Sequence, residues 1–276
     1  MRIAVIADIH GNLPALEAVL ADIQRRGVDR TINLGDSVSG PLWPREVCDL
    51  LMASSSLVIR GNHDRWVSGP DPASMGPSDR DAHSNLGADQ RQWLGALPTS
   101  TDAGNGIFAC HGTLTDDNQY LIEEVSEHHL VRAHRSTIRE RLGDVQARVV
   151  LCGHSHQQHL IQLPDGPLIL NPGSVGCPSY DDPGAEPHVS EGGSPHARYA
   201  VLTIIGEHVS AELGAISYDW KAAAARATPM GEQNGPTVYE QGGSWPIPAR
   251  GTSPPPLEPK GTTDVRSICV VSWRAE

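Results

Sequence analysis

Short apolar runs recur along the chain, and each breaks off at a polar cluster built from glycine, aspartate, asparagine or histidine. Ile3-Ala4-Val5-Ile6-Ala7 leads into Asp8-Ile9-His10-Gly11-Asn12, Thr31-Ile32-Asn33-Leu34 into Gly35-Asp36, and Leu57-Val58-Ile59 into Arg60-Gly61-Asn62-His63-Asp64. Farther on, Ile107-Phe108-Ala109-Cys110 ends in His111-Gly112, Val149-Val150-Leu151-Cys152 in Gly153-His154-Ser155-His156, and Leu168-Ile169-Leu170 in Asn171-Pro172-Gly173-Ser174. Runs of this length read as buried strands. Between the first three the period changes to that of a helix: Leu13, Leu16, Val19, Leu20 and Ile23 fall on one face, and a second helix opens at Pro44 and runs through Val47, Leu50 and Leu51. Strands alternating with helices predict an α/β fold, with the chemistry on loops at the carboxyl ends of the strands.

Other stretches carry weaker patterns. Residues 67–87 are rich in Gly, Pro, Ser and Asp and read as a surface loop; 90–97 read as a short helix with Trp93 on its buried face. Residues 129–142 read as one amphipathic helix, with Ile138 and Leu142 inward, Arg132, Arg135, Arg139 and Arg141 outward, and His128, His129 and His134 solvated. Residues 199–205 and 208–216 suggest an antiparallel hairpin in a second sheet. The proline- and acid-rich stretch 176–196 is long for a bare loop, and is either disordered or a flap on the substrate side. The expected organisation is one domain over residues 1–227 and a Pro/Gly-rich tail over 228–276, mostly disordered through residue 260. Trp245, Trp273 and the run Pro254-Pro255-Pro256 leave room for a polyproline docking segment in that tail, beside the plainer reading of unselected sequence.

Composition narrows the function. The 276 residues suffice for a sizeable core. A formal net charge of -12 counts against broad nucleic-acid binding, which needs a basic face to displace counterions. The five cysteines are odd in number, form no C-x-x-C pair, and read as buried thiols in a reducing cytoplasm. Asp8 interrupts the first apolar run too early for a signal peptide, and no stretch is long and apolar enough for a membrane helix. A cytoplasmic protein acting away from membranes is the expectation; the sequence carries no indication of oligomeric state.

Collected in order, the strand-end residues are Asp8, His10, Asp36, Asn62, His63, His111, His154 and His156, in the motifs D-x-H, G-D, G-N-H-D, H-G and G-H-x-H. Each motif is weak alone; five in succession, each after an apolar run, are not. Carboxylate, amide and imidazole donors without thiolate suit Mn²⁺, Fe, Zn²⁺, Ni²⁺ or Co²⁺. If the chain stays extended past Gly153, alternation would turn His154 and His156 towards one point.

On these motifs the chain resembles the calcineurin-like metallophosphoesterases over roughly residues 1–220. The resemblance implies a four-layer α/β/β/α sandwich with two mixed β-sheets. It implies one metal held by Asp8, His10, Asp36 and His156, and a second held by Asp36, Asn62, His111 and His154, with Asp36 bridging. His63 takes the place of the family's non-ligand histidine beside the scissile ester, and Asp64 and the backbone near Asn12 are candidates for support behind the ligands. The implied activity is hydrolysis of phosphate mono- or diesters by in-line attack of a metal-bridging hydroxide, with Mn²⁺ the expected ion. Two divalent ions against two carboxylates leave such a site positive by about two charges, so it attracts phosphate although the chain is acidic. The expected substrate is a small phosphorylated molecule, a nucleotide or a diester.

Two departures shape the alternatives. Protein phosphatases and dinucleoside polyphosphate hydrolases of the family carry an arginine shortly after G-D, and Gly35-Asp36-Ser37-Val38-Ser39-Gly40 has none. The arrangement is closer to the small bacterial phosphodiesterase-like branch. A non-catalytic interaction module on the same fold is the rival from another class, and retention of all seven ligands and His63 weighs against it.

Overall fold

A computed structural model describes residues 1–232. The chain begins β1 (Arg2–Ile6), α1 (Leu13–Arg26), β2 (Arg30–Asn33), α2 (Pro44–Ala53), β3 (Leu57–Val58), α3 (Asn62–Val67), α4 (Pro77–Asn85) and α5 (Ala88–Ala96). It continues β4 (Ser100–Gly104), β5 (Ile107–Cys110), β6 (Glu123–Ser126), β7 (His129–Arg132), α6 (Arg135–Leu142) and β8 (Val149–Leu151). Last come β9 (Gln158–Gln162), β10 (Leu168–Pro172), β11 (Ser179–Asp182), β12 (His188–Glu191), β13 (Ala197–Ile205), β14 (His208–Ile216) and α7 (Trp220–Glu232).

Two mixed five-stranded sheets, ordered β14-β13-β1-β2-β3 and β4-β5-β8-β10-β9, pack face to face. Side-chain alternation builds the layers. Along β1 and the residue after it, Ile3, Val5 and Ala7 enter the core between the sheets, while Ala4 and Ile6 face the core beneath α1 and α2. On the second sheet Val149 and Leu151 meet that same central core, and Val150 faces Ile138 and Leu142 of α6. The result is the helix–sheet–sheet–helix sandwich expected. Helix α1 is held at its start by the Asn12 side chain accepting from the Ala15 N–H at 3.3 Å, and it ends at Gly27, whose φ of 60° suits glycine.

Several expectations change. The hairpin β13–β14 is not in a second sheet: β13 pairs antiparallel with β1 and completes the first. Its inner face, Ala200, Leu202 and Ile204, fits the central core, which local pattern could not assign to either sheet. Residues 129–142 are not one helix. β6 and β7 form a hairpin around Glu127 and His128, both at positive φ as a two-residue turn demands, and only Arg135–Leu142 is helical, with His134 as its N-cap. Neither turn residue is Gly or Asn, so the usual hairpin signal is missing. The stretch 67–87 contains α4, which opens with Pro77 and carries the buried Asp79 in its first turn. Within 176–196, β11 and β12 pair with each other, and β12 joins β7 in a four-stranded third sheet ordered β11-β12-β7-β6. Helix α7 runs to Glu232, so the first residues of the expected tail are helical rather than disordered; Trp245, the proline run at 254–256 and Trp273 lie outside the described residues. Among the described residues no helix is long and apolar enough to cross a membrane.

Candidate metal centre

The parallel strands β1, β2 and β3 of one sheet and β5 and β8 of the other deliver their carboxyl ends to one place. Asp8, His10, Asp36, Asn62, His63, His111, His154 and His156 all gather there, buried. Two compact sets of ligand atoms form, Asp8 with His10 and His156, and Asp36 with His111 and His154. Asn62 joins the second through Oδ1, 3.0 Å from His111 Nε2. His154 and His156 do not point to one spot along an extended chain: both adopt left-handed backbone, with φ of 70° and 60°, and serve different sets.

Asp8, His10 and Asp36 are also left-handed, with φ of 55°, 48° and 53°. Such residues cost about 1–3 kcal/mol each unless the surroundings hold them, and Asp and His tolerate the region better than most. Here the loops hold each other. The N–H groups of Asp8, His10 and Gly11 donate to the carbonyls of Gly35, Asp36 and Ser37, and Ser174 Oγ donates to the Asp8 carbonyl at 2.7 Å. Ser155, between the two histidines, donates through Oγ to Glu123 at 2.7 Å and accepts from Asn171 at 3.0 Å, while Ser190 donates to its carbonyl at 2.6 Å.

The donor atoms converge in a way that ordinary hydrogen bonding does not satisfy. His10, His111 and His156 each turn Nδ1 to a backbone carbonyl, of Ser39, Leu34 and Cys177 respectively. A carbonyl only accepts, so each Nδ1 carries a proton and Nε2 is the nitrogen turned to the centre. His10 Nε2 and His156 Nε2 face each other at 3.1 Å. His111 Nε2 lies 3.0 Å from Asn62 Oδ1 and 3.2 Å from Asp36 Oδ2, so in the metal-free chain it is a protonated donor to these two oxygens. Both oxygens of Asp8 are buried without a close hydrogen-bond partner. Buried acceptors left in this state are expensive; a cation among Asp8, His10 and His156 satisfies them, and a second can take the place of the His111 proton in the other set. The donor set therefore fits two divalent ions.

The protonation pattern agrees. Burial pushes the Asp8 carboxyl up to about 8, with Asp36 adding to the rise and His111 opposing it. For His111 burial favours the neutral ring, but Asp36 and Asp8 outweigh it and raise the imidazole to about 10. Burial works against ionised Asp36 too, yet His111, His63 and His10 hold it well below the ordinary carboxylate range. His154 is lowered to about 3 by burial and by His111, and burial with His10 lowers His156 well below the ordinary imidazole range. Without metal, protons on Asp8 and His111 supply part of the missing positive charge.

His63 lies beside this centre, its ring centroid 5.4 Å from that of His10, and its backbone N–H donates to Asp36 Oδ1 at 2.9 Å. Its Nδ1 is 2.7 Å from Asp79 Oδ1, which also accepts from Ser39 Oγ at 2.7 Å. Asp79 is the functional neighbour that the sequence motifs do not include. Its signal is Gly76-Pro77-Ser78-Asp79, a helix start with an acid in the first turn, inside a stretch whose composition suggests only loop. Asp64 accepts from the N–H groups of Asp36, Ser37 and Gly61 at 2.8, 2.9 and 3.1 Å, and so shapes the Asp36 loop from behind. Asn12 bonds the Gly176 carbonyl and the Tyr218 hydroxyl rather than the centre.

Residues 1–158 match the family described as calcineurin-like phosphoesterase. An uncharacterised protein of Methanocaldococcus jannaschii is 48% identical over 67 residues, which are 24% of this chain and only 28% of that protein's length. A solved metallophosphoesterase from Sphaerobacter thermophilus superimposes with a TM-score of 0.63 at 25% identity, over 84% of this chain and 95% of that one. A hypothetical protein from Pyrococcus horikoshii OT3 shares the fold, with a TM-score of 0.64 at 21% identity over 83% of this chain and 93% of its own.

Proposed function

The chain belongs to the calcineurin-like phosphoesterase family, and from that premise we propose that it hydrolyses small phosphate esters, a nucleotide or a diester, with two divalent ions. The observation that carries the reading is Asp8, buried with neither carboxylate oxygen closely hydrogen-bonded, next to two imidazole nitrogens 3.1 Å apart. One ion would be held by Asp8, His10, His156 and Asp36, the other by Asp36, Asn62, His111 and His154, with Asp36 shared; Mn²⁺ is the proposed metal. When bound, such a pair supplies Lewis acidity and a nucleophile at neutral pH.

The chain's own residues do the rest. The carbonyls of Ser39, Leu34 and Cys177 hold three imidazoles with Nε2 inward, so little reorganisation is needed when charge develops on the phosphoryl group. Asp79 fixes the His63 tautomer with the proton on Nδ1. Nε2 is then the nitrogen through which His63 exchanges a proton with the leaving oxygen or steadies the phosphoryl charge.

Purified full-length protein should hydrolyse chromogenic phosphate mono- or diesters with added Mn²⁺, and lose that activity to chelator. Absence of turnover with each of Mn²⁺, Fe²⁺, Zn²⁺, Ni²⁺ and Co²⁺, in protein shown to contain metal, would count for a non-catalytic module instead.

Metal uptake should also release protons. With Asp8 raised to about 8 and His111 to about 10, both hold a proton in the metal-free chain at pH 7, and a cation displaces them. Affinity should therefore rise as pH increases from about 6 towards about 9. Calorimetric Mn²⁺ titrations at pH 7 in buffers of differing ionisation enthalpy should show release approaching about two protons per chain; uptake of protons would reverse the assignment.

Gly153 should be needed for binding more than for folding. A Cβ there would stand 3.1 Å from Asp8 Oδ2 and from Ala7 Cβ, and 3.6 Å from His111 Nδ1. Gly153→Val is expected to weaken metal binding at least about tenfold, with the cost to folding nearer about 1–3 kcal/mol. Equilibrium dialysis and chemical unfolding of the metal-free variant separate the two.

A further inference from the structure

Two tyrosines from outside the metal-site motifs lie directly on the two histidines of the Gly153-His154-Ser155-His156 loop. The Tyr120 ring stacks on His154, with centroids 4.6 Å apart and planes 25° apart. The Tyr180 ring, carried by β11, meets His156 at 4.7 Å with planes 72° apart. Their hydroxyls are 2.7 Å apart, and the Tyr120 hydroxyl is also 2.8 Å from His188 Nε2 on β12.

The direction of each bond in this chain can be worked out. His188 Nδ1 lies 2.7 Å from the Glu186 carbonyl, which only accepts, so Nδ1 carries the proton and Nε2 of the neutral ring accepts. Tyr120 therefore donates to His188, and Tyr180 donates to Tyr120. Neither hydroxyl proton remains for a substrate oxygen, and each ring packs against an imidazole. These are the attributes of a brace for the ligands rather than of a substrate contact.

The histidines need one. Both have left-handed backbone, and His154 is among the more exposed ligands at 9%. They also belong to different ligand sets, His154 with Asp36 and His111, His156 with Asp8 and His10. We infer that Tyr120 and Tyr180 are positioning residues for His154 and His156, coupled through their shared hydrogen bond and anchored by His188, so that the β11–β12 hairpin sets how firmly both ions are held. The inference rests on the two-metal reading above. On it, the stretch 176–196 serves to hold the ligand loop, and the bond from Ser190 of β12 to the Ser155 carbonyl is a further tie.

The test is release of Mn²⁺ from loaded full-length protein into excess EDTA, followed with time, with thermal unfolding of each metal-free variant alongside. Tyr120→Phe keeps the stack and cuts both hydroxyl bonds; both ions should leave about tenfold faster. Tyr180→Phe cuts one bond and should speed both ions by a smaller factor. His188→Ala, remote from the ligands, should act like Tyr120→Phe in direction. Tyr199→Phe, which removes a phenol hydroxyl bonded to Asp22 in the opposite sheet layer, should change nothing. Wild-type release kinetics in Tyr120→Phe, Tyr180→Phe and His188→Ala alike, with two ions bound, would overturn the inference and leave the metal reading intact. So would acceleration of one ion alone in Tyr180→Phe. A wild-type chain that binds no ion would overturn the metal reading, and the inference with it.

Discussion

His63→Asn is expected to lower turnover by about 10²- to 10⁴-fold, the range typical of losing a general acid or base, while the metal content stays at the wild-type value. The separation follows from where His63 sits. Its backbone N–H donates to Asp36 Oδ1 and survives the substitution, so the Asp36 carboxylate keeps its support. Its imidazole belongs to neither set of ligand atoms. What disappears is the proton exchanged at Nε2. Asparagine can still donate to Asp79, which limits damage to the packing around Trp66, 4.8 Å away from the His63 ring. Asp79→Asn makes a graded companion: the ring remains but loses its anionic partner, and about a tenfold loss is expected, again with full metal content. Unchanged activity in His63→Asn would remove His63 from the mechanism; loss of metal in either variant would make it a structural support of the ligands.

How much of the molecule is legible in its sequence depends on whether the signal is local. The ligand residues announce themselves because each follows a run such as Val149-Val150-Leu151, buried on both faces and therefore continuously apolar. Convergence of five such ends follows from parallel pairing, which puts carboxyl ends on one edge. The partners behind the ligands carry no such mark. Asp79 reaches His63 only because α4 packs against α3, and its sequence neighbours are loop-like. Tyr180 reaches His156 only because β12 pairs with β7 at Val189 and His129, a long-range contact with one residue pair of register. β7 itself is hidden, since its residues read as the start of a helix and its turn at Glu127 and His128 lacks Gly or Asn. The α/β/β/α layering is thus readable from periodicity and resemblance, while the third sheet is not.

Asp36→Asn should be the most damaging single change, abolishing both hydrolysis and the two-ion stoichiometry. Asp36 is buried, its Oδ1 accepts from the His63 N–H, and its Oδ2 is 3.2 Å from His111 Nε2. The field of its charge reaches both ligand sets, raising Asp8 and His111. Asparagine has almost the same shape, so Gly61, where a Cβ would fall 2.1 Å from Asp36 Oδ1, still fits against it. The substitution therefore removes charge with little change in packing. Against two divalent ions the proposed site would then offer one carboxylate, leaving it positive by about three charges rather than two. Removing one partner of a buried ionic cluster typically costs about 3–5 kcal/mol, equivalent to roughly two to four decades of affinity. The metal-free variant should stay folded, because His111 can give up its proton once the neighbouring anion is gone. Metal analysis after dialysis against micromolar Mn²⁺ should find at most one ion per chain, and the residual ion should belong to the Asp8, His10 and His156 set, whose own carboxylate is intact. Two ions retained at wild-type affinity would mean that Asp36 does not bridge, and that the two sets of ligands are independent sites.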